Sequence, residues 1–113
     1  MENKKEALHS INQNILKLGV ERIKLKYRLN DLEFRQDIKC EEIRKSVAGN
    51  PDFRNESVRK AEHTLRVAQE CKAEIEEIRK IKEEIELMAL QISFLKRKFK
   101  IELEDIKEYG KED

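Results

Sequence analysis

The stretch Val47-Ala-Gly-Asn-Pro-Asp-Phe-Arg-Asn-Glu-Ser-Val-Arg-Lys-Ala-Glu62 is the one place where a near-continuous alternation of charged and aliphatic residues is interrupted. It holds the single proline of the chain, Pro51, beside Gly49 and Asn50. A proline disfavours helical backbone at the residue before it, and Gly49 can take the left-handed conformation that ends a helix. A first helix therefore stops near Ala48. Restart is offered twice, at Asn50 with Pro51 as the first helical residue, or at Asn55 with Glu56 in the opening turn.

On both sides of this punctuation the apolar residues recur in steps of three and four. Before it come Leu8, Ile11, Ile15, Leu18, Leu25, Leu29, Leu32, Ile43 and Val47. After it come Val58, Leu65, Ala68, Cys71, Ile75, Ile78, Ile81, Ile85, Met88, Ile92, Leu95, Phe99, Leu103 and Ile106. That spacing gathers side chains on one stripe of an α-helix, and no sustained stretch alternates as a strand does. The fold expected is all-α: a single helical-hairpin domain over 1–113, with helix one over about 3–48, a turn over about 49–54 and helix two over about 55–109. A turn this short returns the second helix antiparallel, as a coiled-coil rod about 70–80 Å long at about 1.5 Å per residue. Folding about residues 51–52 sets Leu32 near Cys71, Leu25 near Ile78, Ile15 near Met88 and Leu8 near Leu95.

Composition agrees with this architecture. Of the 113 residues, 43% are charged and 38% apolar, which is too little for a thick globular core. The net charge is only +1, whereas disordered chains combine low hydrophobicity with large net charge. Trp is absent and aromatics are 5%, the profile of long helices. The charge balance does not favour general binding to nucleic acid or membrane surfaces. No apolar run approaches about 18 residues, and the N-terminal residues lack an apolar signal core, so a cytoplasmic protein is expected, with free thiols at Cys40 and Cys71.

A two-helix hairpin needs one seam per helix, yet a second is present. Leu16, Val20, Ile23, Tyr27 and Phe34 form it on helix one, and Leu87, Leu90, Phe94 and Ile101 on helix two. Left open, these residues would widen the apolar stripe beyond what a soluble monomer carries. The expectation is a homo-oligomer, most simply a dimer of hairpins forming a four-helix bundle through these nine residues. An unidentified protein is the other partner the seam would suit.

Other motifs have simpler readings. The cations of Arg22–Arg28 stand opposite Glu74, Glu76 and Glu77, so pairing within the hairpin accounts for them. Lys96, Arg97, Lys98 and Lys100 interleave with Phe94 and Phe99, a pattern that can hold single-stranded nucleic acid. Both phenylalanines also fall on the apolar seams, and core packing is preferred. His9, Cys40, His63 and Cys71 lack the close ligand pairs of a zinc site, and no metal or cofactor is expected. With Cys71 opposite Leu32, the two cysteines fall roughly 12 Å apart, too far for a disulfide. No phosphate loop or nucleophile constellation occurs, and an enzyme is not expected. At the tip, Arg54, Asn55, Glu56, Arg59 and Lys60 serve the helix restart or, alternatively, dock a partner protein.

The segment Asn55-Glu56-x-x-Arg59-Lys60 at the start of helix two resembles one in small helical-hairpin proteins encoded by bacteriophages. That resemblance implies an accessory or adaptor protein of replication or recombination, in the cytoplasm of a bacterial host. Within it, the alternatives are a single-strand-binding mediator and an inhibitor of a host enzyme or defence protein.

Overall fold

The computed structural model describes residues 2–111, all of whose regular structure is helical. Helix α1 runs Glu2–Ala48, α2 runs Glu56–Glu70 and α3 runs Lys72–Lys111. The chain divides into two compact units, Met1–Lys26 with Glu83–Asp113, and Tyr27–Lys82.

In the unit Tyr27–Lys82, α1 ends without a left-handed residue, contrary to the role expected for Gly49. Its N–H instead donates to Lys45 O at 3.0 Å, and Asn50 N–H donates to Val47 O at 3.2 Å, so a tightened last turn closes the helix. The Asn50 side chain then accepts the Asp52 N–H at 2.9 Å, an Asx turn that carries the chain past Pro51. Of the two restart positions, Asn55 is the one used. It sits in extended backbone, and its Oδ1 accepts the Val58 N–H at 2.8 Å.

The second helical segment is not continuous as expected, but breaks at Cys71. That residue leaves helical geometry (φ −106°, ψ 13°) while its N–H still donates to Val67 O and its carbonyl accepts from Ile75. The break accompanies a change of inward face. Val58 and Leu65, expected in the seam, are exposed, as is Ala68. The residues turned inward are His63, Val67 and Cys71, in steps of four. Each such step drifts about 40° around a helix of 3.6 residues per turn, so the line cannot continue straight into α3.

Cys71 is fully buried, and it packs with Ile43 and Val47, with Phe53 and Val67 against the same cluster. The expected Leu32–Cys71 pairing is therefore displaced by about three turns toward the tip. The helix ends Ala48 and Glu56 are still centred on residue 52, so the turn by itself does not account for this displacement. The true register is antiparallel, with Ser46 beside Arg66, Lys39 paired to Glu74 and Glu33 to Lys82.

In the unit formed by Met1–Lys26 and Glu83–Asp113, the inward line of α1 is Leu8, Ile11, Ile15, Leu18 and Leu25. That of α3 is Ile85, Met88, Ile92, Leu95, Phe99, Leu103 and Ile106. Only Ile11 among these is buried, and the rest are half-buried. Two helices contribute too few neighbours to enclose a side chain that a full core would surround with about 6–12.

Candidate interaction surfaces

All nine second-seam residues are exposed. In the first-named unit they are Leu16, Val20 and Ile23 on α1, and Leu87, Leu90, Phe94 and Ile101 on α3, each 51–67% exposed. At about 100° per residue, the α1 set lies about 150° around the helix from the inward line Ile11, Ile15, Leu18 and Leu25. The α3 set is likewise about 150° from its own inward line. The two seams thus do not widen one stripe. Each helix carries a second apolar stripe, well round from its inward line.

An open groove of about 600 Å³ runs between the helices of this unit, lined by Asn14, Lys17, Leu18 and Glu21 of α1 and Leu90, Gln91, Phe94 and Leu95 of α3. Leu90 and Phe94 therefore serve both the groove wall and the outward stripe. In the other unit, Tyr27 and Phe34 are exposed in the same way, joined by Ile38 on the same side of α1.

The cations of Lys96–Lys100 are exposed and make no ion pair among the described residues. They do not converge. Lys96 and Lys100 stand one turn apart on one flank of α3, whereas Arg97 and Lys98 lie on either side of Phe94 and Ile101. Arg28, from the other basic run, reaches Glu77 across the helices, the pairing anticipated for that run.

The tip residues divide by role. Asn55 is consumed as the cap of α2, and Arg59 donates through Nε to Phe53 O at 2.7 Å. Glu56 and Lys60 form an exposed pair at 3.6 Å, and Arg54 is exposed. Glu56, Arg59 and Lys60 line a groove of about 590 Å³ with Arg44, Val47, Ala48, His63 and Thr64. Its cations already have partners, since Arg44 pairs with Glu41. That pairing holds the Glu41 carboxyl below its ordinary range and raises Arg44.

Two polar anchors fasten α2 to α1, and folding about residues 51–52 anticipates only the approach of His63 to Cys40. His63 Nε2 donates to Cys40 O at 3.1 Å, which requires the proton on Nε2 because a carbonyl only accepts. Arg66 reaches Ser46 Oγ at 3.3 Å, pairs with Glu62 at 2.9 Å and lies over the Phe53 ring at 5.7 Å. Among the described residues, no three of His, Cys, Asp and Glu converge as metal ligands, and no helix is long and apolar enough to cross a membrane. No family model, curated protein or solved structure matches the chain.

Proposed function

We propose that this chain is a non-enzymatic coiled-coil interaction protein that assembles with copies of itself through the outward stripes of α1 and α3. The observation that carries this reading is the exposure of Leu16, Val20 and Ile23 together with Leu87, Leu90, Phe94 and Ile101. Their spacing is that of helix-packing seams, and a helix of a second copy is the surface that matches such spacing. Covering side chains now half or more exposed is favourable by about 25 cal/mol per Å² of apolar surface. The half-buried inward lines of the same unit would gain cover as well.

The outward placement favours side-by-side packing over the closed four-helix bundle. In a square bundle each helix meets two neighbours roughly 90° apart, whereas here the two apolar lines of each helix are about 150° apart. An adaptor role in phage DNA metabolism, the direction implied by the Asn55–Lys60 resemblance, would follow assembly rather than replace it. Sedimentation equilibrium at micromolar concentration tests the proposal. The wild-type chain should exceed monomer mass. A combined Leu16→Glu, Ile23→Glu, Leu90→Glu, Phe94→Glu variant should be monomeric with its helical content retained. A monomeric wild-type chain would overturn the reading.

A further inference from the structure

The two cysteines, expected to be far apart, meet. Lys39 precedes Cys40 and pairs with Glu74, three residues beyond Cys71. Ile43, one turn after Cys40, packs against Cys71, and His63 donates to the carbonyl of Cys40 itself. Contacts on both flanks thus bring Cys71 close to Cys40, near enough for Cys40 to act on the Cys71 thiol. Both are free. Cys71 is also the residue at which the second helical segment breaks, although its N–H and carbonyl keep their bonds to Val67 and Ile75.

We propose that Cys40 and Cys71 are a reversible dithiol–disulfide pair, closed by exchange with a small-molecule disulfide, that locks the α2–α3 junction onto α1. The thiols have unequal roles. Cys40 is half-buried and accessible to a reagent, whereas Cys71 is fully buried and is reached only by its neighbour. Burial first, then the adjacent Cys40 and Glu74, push the Cys71 thiol above its ordinary range, with Lys39 opposing. A thiol so buried and raised is not the one a reagent disulfide meets first, which suits a resolving role. In the first step the Cys40 thiolate attacks one sulfur of the reagent disulfide, forming a mixed disulfide and expelling one thiolate. In the second, Cys71 gives up its proton and attacks the Cys40 sulfur, expelling the other thiolate. Two protein thiols are oxidised, one reagent disulfide is reduced to two thiols, and both protons pass to the departing sulfurs. Closure would hold α2 against α1 where His63 and Arg66 otherwise hold it.

The experiment equilibrates the full chain in glutathione–glutathione disulfide buffers, once folded and once in urea. Acid quenching, alkylation and peptide mass mapping then follow. The expected result is an intramolecular Cys40–Cys71 link as the main oxidised species of the folded chain. Its equilibrium constant should be at least tenfold larger than in urea, with the helical signal unchanged. Cys40→Ser should leave no oxidised product, and Cys71→Ser should stop at the Cys40–glutathione adduct. The proposal is overturned if the link is no more favoured folded than unfolded, or if closure melts the helices. Two further outcomes overturn it: the adduct or a Cys40–Cys40 dimer predominates in the wild-type chain, or neither thiol reacts.

Discussion

Lys39 of α1 and Glu74, in the first turn of α3, form an ion pair that ties the start of α3 to the first helix. Each partner shifts the other in the expected sense. Hydrogen bonding and charge from Glu74 raise Lys39, and Lys39 lowers Glu74, whose carboxylate also takes up its own backbone N–H. An acid at this position further suits the positive end of the helix dipole.

The sign of the pH effect follows from those directions. Glu74 is depressed in the folded chain, so its contribution is present above the unfolded carboxyl pKa of about 4.3 and lost as pH falls through the lower folded value. Lys39 is raised, so its contribution is present below about 10.4 and lost as pH rises through the higher folded value. Thermal melts between neutral and acid pH should show a smaller decline in Glu74→Gln than in the wild-type chain. An equal decline in both would remove Glu74 from the acid limb. The effect should be small, because both side chains are solvated and screened.

Arg66 is expected to matter more than its surface position suggests. One guanidinium contacts Glu62, Ser46 and the Phe53 ring, and so joins α2, α1 and the turn. Arg66→Ala removes a cation–π contact and two hydrogen bonds, and should destabilise the chain by about 1–2 kcal/mol in urea unfolding. Arg66→Lys should recover only part of this, since an ammonium cannot present a planar face and a fork together. Full recovery by lysine would reduce the role of Arg66 to its charge.

What was legible in the sequence, and what was not, divides by the physics of each element. The helices and the turn declared themselves because Gly49, Asn50, Pro51 and Asn55 act locally, through backbone restriction and capping. The inward faces of α1 and, apart from Ile75, which is exposed, of α3 were equally legible, because long regular spacing fixes a face. Over Glu56–Glu70 the same method chose Val58 and Leu65, and the structure turns His63 and Val67 inward instead. Here the segment is short, the apolar signal sparse, and two polar anchors outweigh it. The register error at Cys71 has the same origin. Spacing along a helix fixes its inward face but not which turn of the partner that face meets, and Cys71 lies against Ile43 rather than Leu32. The one sequence signal that could have located the anchors is Arg66 with Glu62, four apart, beside His63 on a face otherwise unsuited to a seam.

Gly19 lies in the interior of α1 with no positive φ, and a Cβ built on it would meet nothing within 4 Å. No turn or close approach requires a glycine there. Gly19→Ala should therefore stabilise the chain by about 0.5–1 kcal/mol, through lower entropy of the unfolded state. A rise in melting temperature of a few degrees checks this. A fall would place another body, such as a second copy, against the glycine.

The cations Lys96, Arg97, Lys98 and Lys100 make a second test. Because they point to different sides of α3, a single strand could engage only two or three at once. With about two phosphates neutralised, affinity falls with a log–log salt slope of only about −1.4. The expected outcome is no retention of labelled single-stranded DNA by the wild-type chain at physiological salt. Replacing all four by Gln should leave assembly size unchanged. Retention at physiological salt that the quadruple variant loses would move nucleic-acid binding ahead of protein contact.

The outward stripes predict a mode of assembly, not merely its existence. If copies pack α1 against α1 and α3 against α3, each chain has two self-complementary contacts on different helices, and nothing in that arrangement closes it. Wild-type mass should then rise with concentration beyond a dimer. Leu16→Glu with Ile23→Glu should block the α1 contact and leave dimers joined through α3. Leu90→Glu with Phe94→Glu should leave dimers joined through α1. A closed four-helix bundle predicts otherwise: a wild-type mass that stops at the dimer, and monomers from either variant, since both helices of each hairpin line one shared core. Sedimentation of the three proteins over a hundredfold concentration range separates the two, and dimers in both variants beside larger wild-type species would establish the open arrangement.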